Sequence, residues 1–170
     1  HDEGLPELKA LYETLGAYEQ LYGLLDYEAS YRETVDDRVS VYLEMAAIAR
    51  DRTQSPAQRI TALEKAYELE PSNLTIVQPL IDALIAGGEV ERAEPILDEI
   101  INALKSERRM KDVIQFLHLR GKLAERRGDL ETAYEAYTET HKVDASYIPN
   151  LISLGKLLYA REDWDEALKI

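Results

Sequence analysis

Cysteine is absent from this chain, so no disulfide framework and no thiolate metal site can form. Positive charge is short: 20 Lys and Arg stand against 33 Asp and Glu, a net −13. That balance excludes a general nucleic-acid binder, which needs a basic footprint. No apolar run approaches the roughly 20 residues that cross a bilayer. No secretory signal opens the sequence, which starts at His1 and stops at Ile170 inside a helical pattern. It therefore reads as a piece of a larger, bacterial protein, with the cytoplasm as the default compartment. Signs of chemistry are missing as well. The three histidines, His1, His118 and His141, have no metal-ligand spacing around them. Gly87-Gly88 runs into Glu89, so it cannot cradle a phosphate. No serine sits in a nucleophile elbow. The expectation is a non-enzyme with no cofactor and no metal.

What is present is a repeat. Gly121, Asp129 and Ala133 recur 34 residues later as Gly155, Asp163 and Ala167. Self-similarity at that period marks stacked supersecondary units. Glycine and proline are sparse, at 8 and 6, and apolar residues recur at three and four, never at a sustained two. The chain is predicted to be all helix. The clearest stripe is Ala62, Leu63, Ala66, Tyr67 and Leu69, ending before Pro71, with Ser72 or Asn73 free to cap the next helix. Turns are predicted at Gly16, Ser55-Pro56, Gly87-Gly88, Gly128-Asp129 and Glu162-Asp163.

Helix pairs of this period, with small residues at fixed places and Pro near the end of a unit, resemble the tetratricopeptide repeat family. Ser40 to Asn73 fits as one unit through Leu43, Ala47, Leu63, Ala66 and Pro71. Later units carry Leu84, Gly88 and Ala93, then Gly121, Ala124 and Ala133, then Gly155, Leu158, Trp164 and Ala167. The resemblance implies an all-α, TPR-like α-α superhelix, a single solenoid over 1–170. Its approximate repeats are 2–39, 40–73, 74–113, 114–147 and a truncated 148–170. Departures from the pattern are six residues inserted around Leu104 to Lys111, and Pro79 and Pro95 inside predicted helices, where kinks are expected. The last unit is expected to leave an apolar face exposed, including Leu157, Leu158 and Leu168. Small residues such as Gly121 give the clearance for two helices to cross closely.

The family's first helices line a concave groove. In the Ile114 unit the groove positions fall on Gln115, His118, Lys122, Glu125 and Arg126. In the Ile148 unit they fall on Pro149, Ile152, Lys156, Tyr159 and Ala160, and in the Ser40 unit on Val41, Glu44, Ile48, Asp51 and Arg52. The resemblance thus singles out His118, Lys122, Arg126, Lys156 and Tyr159 as a groove for a protein or peptide, favouring an acidic one. Those residues overlap the one basic stretch, Lys105 to Arg127, which has eight cations against three acids, or +5, leaving −18 elsewhere. Asn is missing from the groove positions and Asp82 occupies one, so the family's clamp for a chaperone's terminal carboxylate is not expected.

Eleven of the thirteen aromatics are Tyr. Tyr18 with Tyr22, and Tyr27 with Tyr31, are each four apart on one helix face and form a secondary candidate surface. The function expected is a protein–protein interaction scaffold or adaptor. The alternatives are a structural spacer or self-association module working through its repeat ends, and a regulatory segment of an enzyme or nucleic-acid-handling protein. Neither membrane nor nucleic acid is expected as a partner.

Overall fold

A computed structural model describes residues 4–168 and shows ten helices and no strand among them. The chain forms two compact units, residues 1–93 and 94–170. His1, Asp2 and Ile170, on which parts of the sequence reading fell, lie outside the described residues.

The first unit holds α1 (Leu5–Leu15), α2 (Tyr18–Tyr31), α3 (Val35–Asp51), α4 (Pro56–Leu69) and α5 (Leu74–Ala86), with the start of α6 (Val90–Ser106). From α1 to α5 each helix packs on the next in sequence. The second holds the rest of α6, then α7 (Met110–Arg126), α8 (Leu130–Val143), α9 (Ile148–Ala160) and the short α10 (Trp164–Ala167). Here too α7 packs on α8 and α8 on α9, while α7 also touches α9.

Polar side chains start these helices where the sequence offers them. Thr34, Ser55, Asn73 and Asp129 accept bonds from the backbone N–H of Asp37, Gln58, Thr75 and Thr132, filling donors that the first turn leaves unmet. Asn73 rather than Ser72 is therefore the cap of α5. Pro79 and Pro95 each sit sixth in a helix that runs on through them. Each frees one carbonyl in the first turn, that of Thr75 or Glu91. Both of those residues are exposed, so water can take the freed bond.

The turns within hairpins repeat one device. After α1, α5, α7 and α9 a residue adopts the left-handed region: Gly16, Gly88, Gly128 and Glu162. At each the following N–H reaches back five residues, as in Glu89 to Leu84 and Asp129 to Ala124. This is the Schellman pattern, which satisfies the last carbonyls of the helix. Gln54, after α3, is also left-handed at φ 51°. The left-handed positions 54, 88, 128 and 162 are spaced 34, 40 and 34, so the repeat is written in the backbone as well as the side chains.

The spacing of 40 locates the insertion. α6 has 17 residues where α4 and α8 have 14, and α7 has 17 where α5 and α9 have 13. The connecting turn, 107–109, has three residues where 70–73 and 144–147 have four. Three plus four minus one accounts for the six extra residues, which are absorbed as helix rather than loop. Arg108 takes the left-handed conformation at this turn, with Arg109 N–H bonded to the Leu104 carbonyl.

Neither unit has a core confined to one hairpin. In the second, Ala124 of α7, Ala133 and Tyr137 of α8, and Leu154, Leu157 and Leu158 of α9 form one apolar cluster. In the first, Val39 of α3, Ala66 of α4 and Ile76 of α5 do the same. Leu157 and Leu158 correct the expected bare end: they are 2% and 1% exposed, because α9 turns them onto α8, while Leu168 is 87% exposed. Gly121 shows why a small residue is needed. A Cβ there would lie 2.5 Å from Cδ1 of Tyr137, whose ring is wholly buried.

Candidate functional site

Three cations define the face that α7 and α9 share in the second unit. Lys122 and Arg126 are four apart on α7, and Lys156 lies one period after Lys122 on α9. All three are exposed, and none has a carboxylate within ion-pair distance among the described residues. Five other cations of this unit are engaged, Lys105 with Glu139, Arg109 with Asp112, Arg120 with Asp98, Arg127 with Glu94 and Arg161 with Glu131, whereas Arg108, Lys111 and Lys142 also lack a carboxylate partner among the described residues. Beside Lys156, Ile152 is 53% and Tyr159 68% exposed. The face thus joins free positive charge to exposed apolar surface. Charge without a partner can be offered to a carboxylate at little cost, since no internal pair must first break.

His118 lies elsewhere than the groove reading expects. It is 8% exposed, with Nδ1 3.3 Å from Oδ1 of Asn150. Asn150 is fully buried and donates from Nδ2 to the Tyr137 carbonyl at 2.9 Å. The imidazole packs between the rings of Tyr137 and Tyr147, each 5.6 Å away. Burial, and the nearby charge of Lys122, lower its pKa, although the Asn150 bond and Glu125 act the other way. Tyr137 in turn donates its hydroxyl to Glu125 at 2.7 Å, and burial followed by that carboxylate pushes the phenol far up. His118 is thus an internal tie between α7 and the α8–α9 hairpin and offers a partner almost no surface.

In the first unit the tyrosines divide. Tyr22 donates to the Gln58 carbonyl at 2.8 Å, and Tyr18 lies under the Arg52 guanidinium at 5.1 Å. Tyr27 is 61% exposed and meets half-buried Tyr31 edge to face at 5.3 Å. Tyr18 and Tyr22 are thus taken up by contacts with Arg52 and Gln58.

Sequence reasoning passed over three buried polar residues, Thr140 of α8 and two more. Asn150 precedes Leu154 and Leu157 by four and seven, which places it on the inward stripe of α9. Glu28 follows Leu21 and Leu25 by seven and three and is 3% exposed. It is held by Lys9 at 2.6 Å and by Arg32. Burial would raise its pKa, but the bonds from those two cations outweigh it and hold the carboxyl low. The stripe spacing carried both signals.

Residues 56–115 match the family profile of the tetratricopeptide repeat. That segment is a tetratricopeptide-repeat region. Solved structures agree on the fold. BtubC (BKLC) from P. vanneervenii superposes with a TM-score of 0.68 at 16% identity, covering 98% of this chain and 75% of that one. A tetratricopeptide repeat protein from Parabacteroides merdae ATCC 43184 gives 0.68 at 16%, covering 97% of this chain and 62% of that one. MamA 41-end from Desulfovibrio magneticus RS-1 gives 0.65 at 16%, covering 99% and 91%. No curated protein matches the sequence. Tetratricopeptide repeats are scaffolds for protein–protein interaction, with stacked hairpins offering a long rigid surface. Among the described residues no three His, Asp or Glu are grouped to hold a metal, and no helix is long and apolar enough to cross a membrane.

Proposed function

We propose that this tetratricopeptide-repeat chain, divided into the five units read from its sequence, is a non-enzymatic adaptor segment that docks an acidic peptide or helix. The docking face is that of α7 and α9. The observation that carries this reading is the set of free, exposed cations Lys122, Arg126 and Lys156 beside exposed Ile152 and Tyr159. Carboxylates of the partner meet the cations by charge-assisted bonds, while an apolar side chain covers Ile152 and the Tyr159 ring. Rigid helices limit the entropy lost on docking. His118 stays inside the unit and contributes position only.

The test is titration of the full chain with a Glu- and Leu-containing peptide at two salt concentrations. Binding is expected to weaken with salt, and to weaken about tenfold in Lys122→Glu/Arg126→Glu with the helical spectrum unchanged. Equal affinity in the double variant sinks the reading.

A self-association reading has its own observation. Leu11 and Leu15, four apart on α1, are 50% and 66% exposed, and α1 has no fully buried residue. Light scattering that shows a concentration-independent monomer disposes of it.

A further inference from the structure

A half-open cavity of about 470 Å³ lies in the first unit, between α1, α2 and α3. Its apolar lining comes from Leu21, Ala47 and Ile48. Its acidic lining comes from Glu13, Glu44 and Asp51, and with Arg52 the lining groups sum to −2. The cavity coincides with four positions that the repeat register assigns to the groove of the Ser40 unit: Glu44, Ile48, Asp51 and Arg52.

Two of the three carboxylates are open to a further cation. Glu13 has no cationic partner among the described residues. Glu44 is 3.5 Å from Lys9, whose closer partner is the buried Glu28 at 2.6 Å. Asp51 differs, because its two oxygens take Nε and Nη2 of Arg50 at 2.7 and 2.8 Å. The cavity already holds one cation of the chain's own. The Arg52 guanidinium sits 5.1 Å from the centre of the Tyr18 ring, a cation–π arrangement against a lining aromatic. The space therefore suits a side chain with an aliphatic stem and a cationic head. The stem rests on Leu21, Ala47 and Ile48, and the head reaches Glu13 and Glu44.

We propose that this cavity receives a Lys or Arg side chain of a protein segment docked on α1–α3. The inference rests on the reading of the chain as an interaction scaffold, but it adds a second subsite, opposite in charge to the α7–α9 face and independent of it.

The probes are acetylated, amidated pentapeptides Ala-Leu-Arg-Leu-Ala and Ala-Leu-Lys-Leu-Ala, with norleucine at the centre as control. Each is titrated into the isotope-labelled full chain and followed by nuclear magnetic resonance. The two cationic peptides are expected to shift Ala47 and Ile48 saturably and the norleucine peptide not to. Glu13→Gln/Glu44→Gln is expected to weaken the Arg peptide at least fivefold and leave the acidic probe on α7–α9 unchanged. Arg52→Ala frees the Tyr18 ring and is expected to tighten the Arg peptide at least twofold. This single variant decides the matter if the double variant loses its folded spectrum. No shift at Ala47 and Ile48, equal shifts with norleucine, or indifference to the substitutions overturns the proposal. Cationic peptides that bind while the acidic probe fails would sink the α7–α9 reading alone, and the reverse would sink only this one.

Discussion

Gly121 carries more of the second unit's geometry than its size suggests. It lets the Tyr137 ring lie against the α7 backbone, from where the hydroxyl donates to Glu125 on the same helix. Alanine is the better helix former by about 1 kcal/mol, so propensity alone favours Gly121→Ala. The added methyl meets a fully buried ring that is tethered at its far end, and overpacking of that kind costs about 1–3 kcal/mol. The expected result is a net loss of about 1 kcal/mol in chemical denaturation. Gly121→Ala combined with Tyr137→Leu should show strong coupling. A neutral single variant would mean the ring moves aside freely. The 34-residue recurrence of Gly121 was legible in the sequence, and so was its reason, close approach. The particular ring it admits was not, because Tyr137 is one of eleven tyrosines and only packing chooses among them.

Turns set the rhythm of the helices, and three of them use residues poorly suited to the task. Gln54, Arg108 and Glu162 have φ of 51°, 59° and 57°, and glycine stands at 88 and 128, the positions related to 54 and 162. A side chain in the left-handed region costs on the order of 1 kcal/mol. Gln54→Gly and Glu162→Gly are each expected to stabilise by about 0.5–1 kcal/mol, less than the full strain because glycine also loosens the unfolded chain. Thermal or urea unfolding of the single variants checks this, and a loss of stability would refute it. Helix and turn positions were readable from the spacing of apolar residues with Gly, Pro and capping side chains. The insertion was readable as a broken period but not as helix, since six residues added at a turn look the same in sequence whether they coil or loop. Pro79 and Pro95 were legible as lying inside helices, and the structure keeps each at the sixth helical position.

At the scale of the whole molecule, stability depends on ties between successive hairpins. The tie most exposed to pH is His118 with Asn150. Its folded pKa is lowered by burial, so the unfolded chain binds the proton more readily. The contribution is therefore complete above the ordinary histidine value of about 6.5 and declines as pH falls below it. Glu28, whose folded pKa is lowered from 4.5, adds a second loss only in the carboxylate range. The denaturation midpoint is expected to fall between pH 7 and 5.5, and to fall less in His118→Gln, which can still donate to Asn150 but does not titrate there. An unchanged pH profile in that variant would refute the assignment. The free cations of the proposed docking face were legible from the repeat register at Lys122, Arg126 and Lys156. His118 was placed on the same face by the same register, and Asn150 and Tyr147 from the next helix region cover it, a fact that belongs to stacking rather than to spacing.

The lengthened α6 and α7 have one last consequence. Three or four extra residues at 1.5 Å each raise their shared tip by about 5 Å relative to that of α8 and α9. On that raised tip stand Arg108 and Lys111, cations without a described carboxylate, in a chain whose net charge is −13. Screening in physiological salt acts over about 8 Å, so the height is of the same order as the reach of the field. A polyanion approaching the second unit would therefore meet attraction at this tip as well as at the α7–α9 face.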